Sequence, residues 1–148
     1  MLYICIISVL FVLELYIKNH IVKTKKLNEE VPIIVDELFI KYIQNKGATY
    51  GLFEDKPKVV CGVSVGILLA ACIAFVNVLF KRGNNELKLG LSLVIAGGAS
   101  NVYDRLKRKY VVDYIYWKKL KKIIFNLSDV FIVIGSVITL LSDLLNDK

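Results

Sequence analysis

The sequence predicts an α-helical integral membrane protein with four transmembrane helices and a small β-rich surface subdomain between the first and second. Two observations carry this. Hydrophobic residues make up 56% of the 148-residue chain while charged residues still reach 22%, so apolar blocks must alternate with charged loops. The longest block, 59–80, runs 22 residues without a charge. At about 1.5 Å per residue that crosses a hydrocarbon core of about 30 Å. The whole chain, 1–148, reads as a single membrane domain.

The first helix is expected over about 1–17, where Glu14 is the only charge. A cleaved leader needs a basic start and a small-residue cleavage site. No Lys or Arg precedes Lys18 here, and Leu15-Tyr16-Ile17 is too bulky, so the segment is expected to stay as a helix. The loop from Lys18 to Lys58 contains Pro32 to Ile43, rich in β-branched and aromatic residues around Asp36-Glu37. That pattern predicts two short strands in a hairpin. With Gly47 and Gly51 bracketing a tight path, the β subdomain is placed at about 30–52.

The second helix, 59–80, ends at the short turn 81–86. The third, about 87–104, carries Lys88 near one end, where a long side chain can snorkel. A second charged loop, 104–122, leads to the fourth helix, about 123–141, interrupted mainly by Asn126 and Asp129 near its start.

Several chemistries are excluded. Cys5, Cys61 and Cys72 lie inside apolar blocks with no metal-ligand spacing, and His20 has no ligating neighbours. No metal or cofactor is expected. The net charge of +7 points to anionic lipid head groups rather than nucleic acid, given four spans. No Ser, Cys or His arrangement suggests a nucleophile, and no glycine-rich phosphate loop is present.

What remains is a set of carboxylates and carboxamides at the ends of apolar segments, where ionisable groups are costly. Asn126 and Asp129 have the spacing of an N-cap and its N3 partner. Asn101, Asp104 and Arg105 share one helical face, as an interfacial anchor or as part of a site. Asp113 sits between Val111-Val112 and Tyr114-Ile115-Tyr116-Trp117, an apolar and aromatic stretch suited to the interface. Taken singly, each cluster is open to a structural or a functional reading. Asp113 and Asp129 brought together at one depth could share a proton and activate a water, titrating as a unit.

The ordered blocks Gly97-Gly-Ala-Ser-Asn-Val-Tyr-Asp-Arg105, Val111-Val-Asp-Tyr114 and Phe125-Asn-Leu-Ser-Asp129 closely resemble those of bacterial lipoprotein signal peptidase, or signal peptidase II, an aspartyl peptidase family. Asn45-Lys-Gly-Ala48 is similar to a further block of that family, and the resemblance covers nearly the whole chain. It implies an intramembrane aspartyl endopeptidase that removes signal peptides from diacylglyceryl-modified prolipoproteins, cutting before the lipid-modified cysteine. The matched catalytic residues are Asp113 and Asp129. Asn45, Asn101, Asp104, Arg105 and Asn126 match its supporting residues. The first-helix pattern Leu-Asp-Gln-x-x-Lys is represented by Leu13-Glu14-Leu15-Tyr16-Ile17-Lys18: Lys18 is kept, while Glu14 replaces the aspartate. Ser100 stands where many members have glycine, a small-for-small change suited to close packing.

The resemblance also implies a place in the bacterial cytoplasmic membrane, and a monomer is expected. Its termini would be cytoplasmic, its β subdomain extracytoplasmic, and its site near the outer leaflet. Charge alone argues the reverse: the two long loops carry eight Lys and Arg each against four on the other side, which the positive-inside rule would place in the cytoplasm. The ordered blocks are the more specific signal. The rival readings are a catalytically silent lipoprotein-binding relative and a small proton-coupled transporter subunit.

Overall fold

The computed structural model describes residues 1–34, 37–48, 52–120 and 123–146. Four long helices account for most of them: α1 (Leu2–Thr24), α2 (Pro57–Leu79), α3 (Asn85–Lys107) and α4 (Leu127–Asn146). Pro57 opens α2 at the helix start, where its missing N–H removes no intrahelical bond. The first helix runs past its apolar block because Lys18 points inward, to a buried position, rather than out to a loop.

Three of the described helices, α1, α2 and α4, are long and apolar enough to cross a membrane. Their outward faces carry exposed Val9, Val12, Ile67, Ile73, Val133 and Leu144, a surface that water would penalise and lipid accepts. The more polar α3 is sheltered instead. It packs against each of the other three helices and contributes the longest series of buried residues, from Lys88 to Asp104. Between α3 and α4 the backbones touch. A Cβ on Gly97 would collide with the Ser128 carbonyl oxygen, and one on Gly135 would meet the Gly90 carbonyl at 2.5 Å.

Four strands form one antiparallel sheet in the order β1-β2-β3-β4: β1 (Glu30–Ile34), β2 (Leu38–Asn45), β3 (Val111–Trp117) and β4 (Ile124–Phe125). The hairpin predicted in the first loop is present as β1 and β2. Asp36 of its expected turn and Gly51 lie outside the described residues. The sheet is not confined to the first loop, however. Half of its strands come from the loop between α3 and α4, and the stretch read as an interfacial aromatic segment is β3. Its partner β2 is far away in sequence, with Asn45 opposite Val111 and Ile43 opposite Asp113, so local pattern alone could not identify it.

The chain turns from α3 into β3 through Lys109, whose φ of 70° is left-handed and costs a non-glycine residue about 1 kcal/mol. Alternation along β3 then sends its side chains two ways. Val112 and Tyr114 join Ile21 of α1 and Tyr42 of β2 in a core cluster, while Val111 and Asp113 face a groove.

The helix contact yields a prediction. Gly97→Ala should lower thermal stability in detergent or lipid by about 2 kcal/mol through overpacking. Gly66→Ala, on an α2 position with open space around it, should be neutral or slightly stabilising. Equal melting shifts for the two would refute the close-contact explanation.

Candidate active site

The site is built outward from one buried ammonium. Lys18 is fully buried, and its Nζ donates to Asn101 Oδ1 at 2.8 Å and to Ser100 Oγ at 3.1 Å. It also pairs with Asp104 Oδ2 at 3.0 Å, with Glu14 Oε1 at 3.8 Å. Asp104 accepts in addition from the Val112 N–H at 3.2 Å and pairs with Arg108 at 2.7 Å. It therefore ties α1, α3 and β3 together and turns away from the groove. Glu14, predicted to deviate from the aspartate pattern, accepts from the Tyr114 hydroxyl at 2.8 Å and from the Ser128 N–H at 3.3 Å.

The carboxylates of Asp113 and Asp129 both reach a groove of about 1100 Å³ bounded by α2, α3, α4 and the sheet. Asn45, Asn101 and Arg105 share its polar end, and most of the remaining wall is apolar. The reciprocal cap expected from spacing is present. Asp129 N–H donates to Asn126 Oδ1 at 3.0 Å, and Asn126 N–H donates to Asp129 Oδ2 at 3.1 Å. Asp129 is thus held at the positive end of α4.

Three carboxamides then aim at the two carboxylates, each for the same reason: a donor occupies the amide oxygen, so the NH₂ must face the other way. Lys18 holds the oxygen of Asn101, whose Nδ2 donates to Asp129 Oδ1 at 2.9 Å. The backbone N–H of Asp129 holds that of Asn126, whose Nδ2 donates to Asp113 Oδ1 at 2.7 Å. The Gly47 N–H holds that of Asn45 at 3.0 Å, and its Nδ2 donates to Asp113 Oδ2 at 2.9 Å. Arg105 donates to the Gly47 carbonyl at 3.0 Å, securing the loop that positions Asn45.

Each residue matched to the family's site, from Glu14 and Lys18 to Asp129, lies in this assembly or directly behind it. Two participants were read differently. Ser100 is more than a packing residue, since its hydroxyl accepts from Lys18. Tyr114 is a buried hydrogen-bonding residue rather than an interface aromatic. The sequence signal for Tyr114 was its place one residue after Asp113 within a β-branched run.

Burial pushes the Asp113 carboxyl up to about 7, with repulsion from Asp129 adding to it and the Asn45 and Asn126 amides and Lys18 opposing it. Near neutral pH a proton is therefore available on Asp113 beside a second carboxylate. The raised value has a consequence for stability. The folded state binds more protons than the unfolded one between about 4 and 7, so stability falls as pH rises through that window. Asp113→Asn should abolish this loss, making the variant more stable than the wild type at pH 8 and similar to it at pH 4. Thermal unfolding in lipid at the two values measures it, and parallel curves would contradict the assignment.

Fold and site together define a multi-pass membrane protein with two aspartate carboxyls on one groove. The signature of signal peptidase (SPase) II matches residues 6–145. The lipoprotein signal peptidase of Clostridium tetani is 33% identical over 142 residues, covering 93% of this chain and 89% of that protein. That of Fusobacterium nucleatum is 31% identical, covering 93% and 83%. A solved bacterial membrane enzyme superposes with a TM-score of 0.82 at 27% identity, covering 99% of this chain and 91% of the other. The chain belongs to the signal peptidase II family, a family of aspartic peptidases.

Proposed function

We propose that this chain removes signal peptides from diacylglyceryl-modified prolipoproteins, cutting before the lipid-modified cysteine with a water activated by Asp113 and Asp129. One observation carries the reading: three amides, each locked by its own oxygen partner, point their donors at two carboxyl groups on one groove. In the reaction, Asp129 takes a proton from water as its oxygen attacks the scissile carbonyl carbon. The proton held by Asp113 passes to the carbonyl oxygen, giving a tetrahedral diol. As the diol collapses and the C–N bond breaks, Asp113 takes back a proton from a diol hydroxyl and Asp129 gives its proton to the leaving amine, which returns the pair to its starting state. Asn45, Asn101 and Asn126 keep the two oxygen pairs oriented. Lys18, Glu14, Asp104 and Arg105 support that frame.

The groove suits a substrate that stays in the bilayer. Its apolar wall includes Ile67 and Val133, which are largely exposed on α2 and α4, so lipid chains can enter sideways while the peptide bond reaches the polar end. A proton relay across the membrane would instead spread its carboxylates through the depth of the helices. In this chain they gather at one end.

The sheet supports a fourth span. β2 and β3 pair, so the loops on either side of α2 and α3 lie on one face of the membrane. If α1 and α2 cross, α3 must return the chain to that face. In the proposed orientation this face is extracytoplasmic, at the outer leaflet of the cytoplasmic membrane, with cytoplasmic termini and a monomeric enzyme.

Two experiments test the reading. Asp113→Asn and Asp129→Asn should each fold and yet lose cleavage of a diacylglyceryl-modified prolipoprotein peptide by at least about a thousandfold; wild-type turnover in either would refute the pair. A single cysteine at Lys107 in a cysteine-free background should react with a membrane-impermeant maleimide in intact cells. Reaction only after the cytoplasm is opened would invert the orientation.

A further inference from the structure

The two carboxylates sit on different elements, Asp113 on β3 and Asp129 at the start of α4, so something must fix the separation of strand and helix end. The bond from the buried Asn126 to Asp113 does part of this. Behind the groove a second link is present. Tyr114, next to Asp113 but on the opposite face of β3, donates its hydroxyl to Glu14 Oε2 at 2.8 Å. The same hydroxyl accepts from the Leu127 N–H at 3.4 Å, and the other Glu14 oxygen accepts from the Ser128 N–H at 3.3 Å. Leu127 and Ser128 are the opening residues of α4. Their N–H groups are otherwise among the unpaired donors of a helix start.

We propose that Tyr114 is a positioning residue, forming with Glu14 a strut that sets the spacing between the strand carrying Asp113 and the helix end carrying Asp129. The inference rests on the two-aspartate reading above and adds to it the element that holds the pair at working distance. Glu14 is suited to the task by its length. One methylene longer than aspartate, it meets a strand side chain and a helix N–H at once while its oxygen also faces Lys18. Both partners are almost fully buried, so neither bond is exchanged for water. Burial, followed by the charge of Glu14, pushes the Tyr114 hydroxyl above the ordinary tyrosine range, so it remains a donor.

The spacing has a measurable signature, because the closeness of the two carboxyls is part of what raises the Asp113 pKa. The other charged or titratable groups facing Asp113 are Lys18 from α1 and Arg105 from α3, with the amides of Asn45 and Asn126. Tyr114→Phe leaves these in place, whereas Glu14→Asp also alters the partner of Lys18. Loosening the strut should separate the pair, weaken the repulsion that helps to raise Asp113, and shift the basic limb of the activity profile to lower pH.

The test compares Tyr114→Phe, Glu14→Asp and the double variant in lipid bilayers, with a diacylglyceryl-modified prolipoprotein peptide as substrate and Asp113→Asn as control. Tyr114→Phe should lower kcat on the order of tenfold with KM unchanged, since sub-ångström displacement acts on the chemical step. Its basic limb should move down by a few tenths of a pH unit. In the Glu14→Asp background, adding Tyr114→Phe should cost little more, because the strut is already broken. An unchanged kcat and pH profile in Tyr114→Phe, or losses that simply multiply, would overturn the strut while an inactive Asp113→Asn leaves the pair standing. An active Asp113→Asn would remove the pair itself. Should Tyr114→Phe fail to fold, Glu14→Asp alone must show the shifted limb with intact KM, and a wild-type profile there rejects the proposal.

Discussion

Everything at the polar end of this bundle depends on one buried cation. An ammonium removed from water is stable only when nearly all its donors are met and its charge is opposed. Lys18 meets that demand with Asn101, Ser100 and Asp104, and with Glu14 one turn earlier on its own helix. Satisfying it is what docks α1 on α3. The same contacts dictate side-chain orientation further out, because a lysine accepts nothing. The Asn101 oxygen must turn toward it, which leaves the NH₂ for Asp129. A single charge thus fixes a hydrogen bond two contacts away.

The arrangement also explains why α3 departs from the composition of its neighbours. A helix facing lipid must be apolar on its outer surface, whereas one enclosed by three others need only satisfy its polar groups internally. α3 carries Ser92, Ser100, Asn101 and Asp104 in buried positions and closes on α4 through glycine. Its low apolar content is a sign of enclosure.

Local signals survived the passage from sequence to structure best. Asn126 and Asp129, three residues apart, form the reciprocal cap their spacing suggested, and the first hairpin lies where the β-branched run predicted it. Partnerships between distant segments were not readable. Asn45 meets Asp113 across 68 residues and Glu14 meets Tyr114 across 100, and no periodicity encodes either. Strand β3 reads in the sequence as an interface segment, because aromatic and β-branched residues suit both settings. What joined the separate clusters into one site was the order of the family's blocks, a signal of ancestry rather than of physics.

The sheet is made from two loops, with consequences for when the protein becomes capable of chemistry. β1 and β2 emerge early, β3 follows only after α3, and Asp129 comes later still. The proposed catalytic oxygens therefore meet only after α1, α2, α3 and all four strands have been synthesised and α4 has begun. Before that point a nascent chain holds a lysine with only Glu14 of its own helix opposite it and an open hairpin, without the pair of carboxyls proposed to cut. Order along the chain thus keeps the unfinished protein without its paired carboxyls.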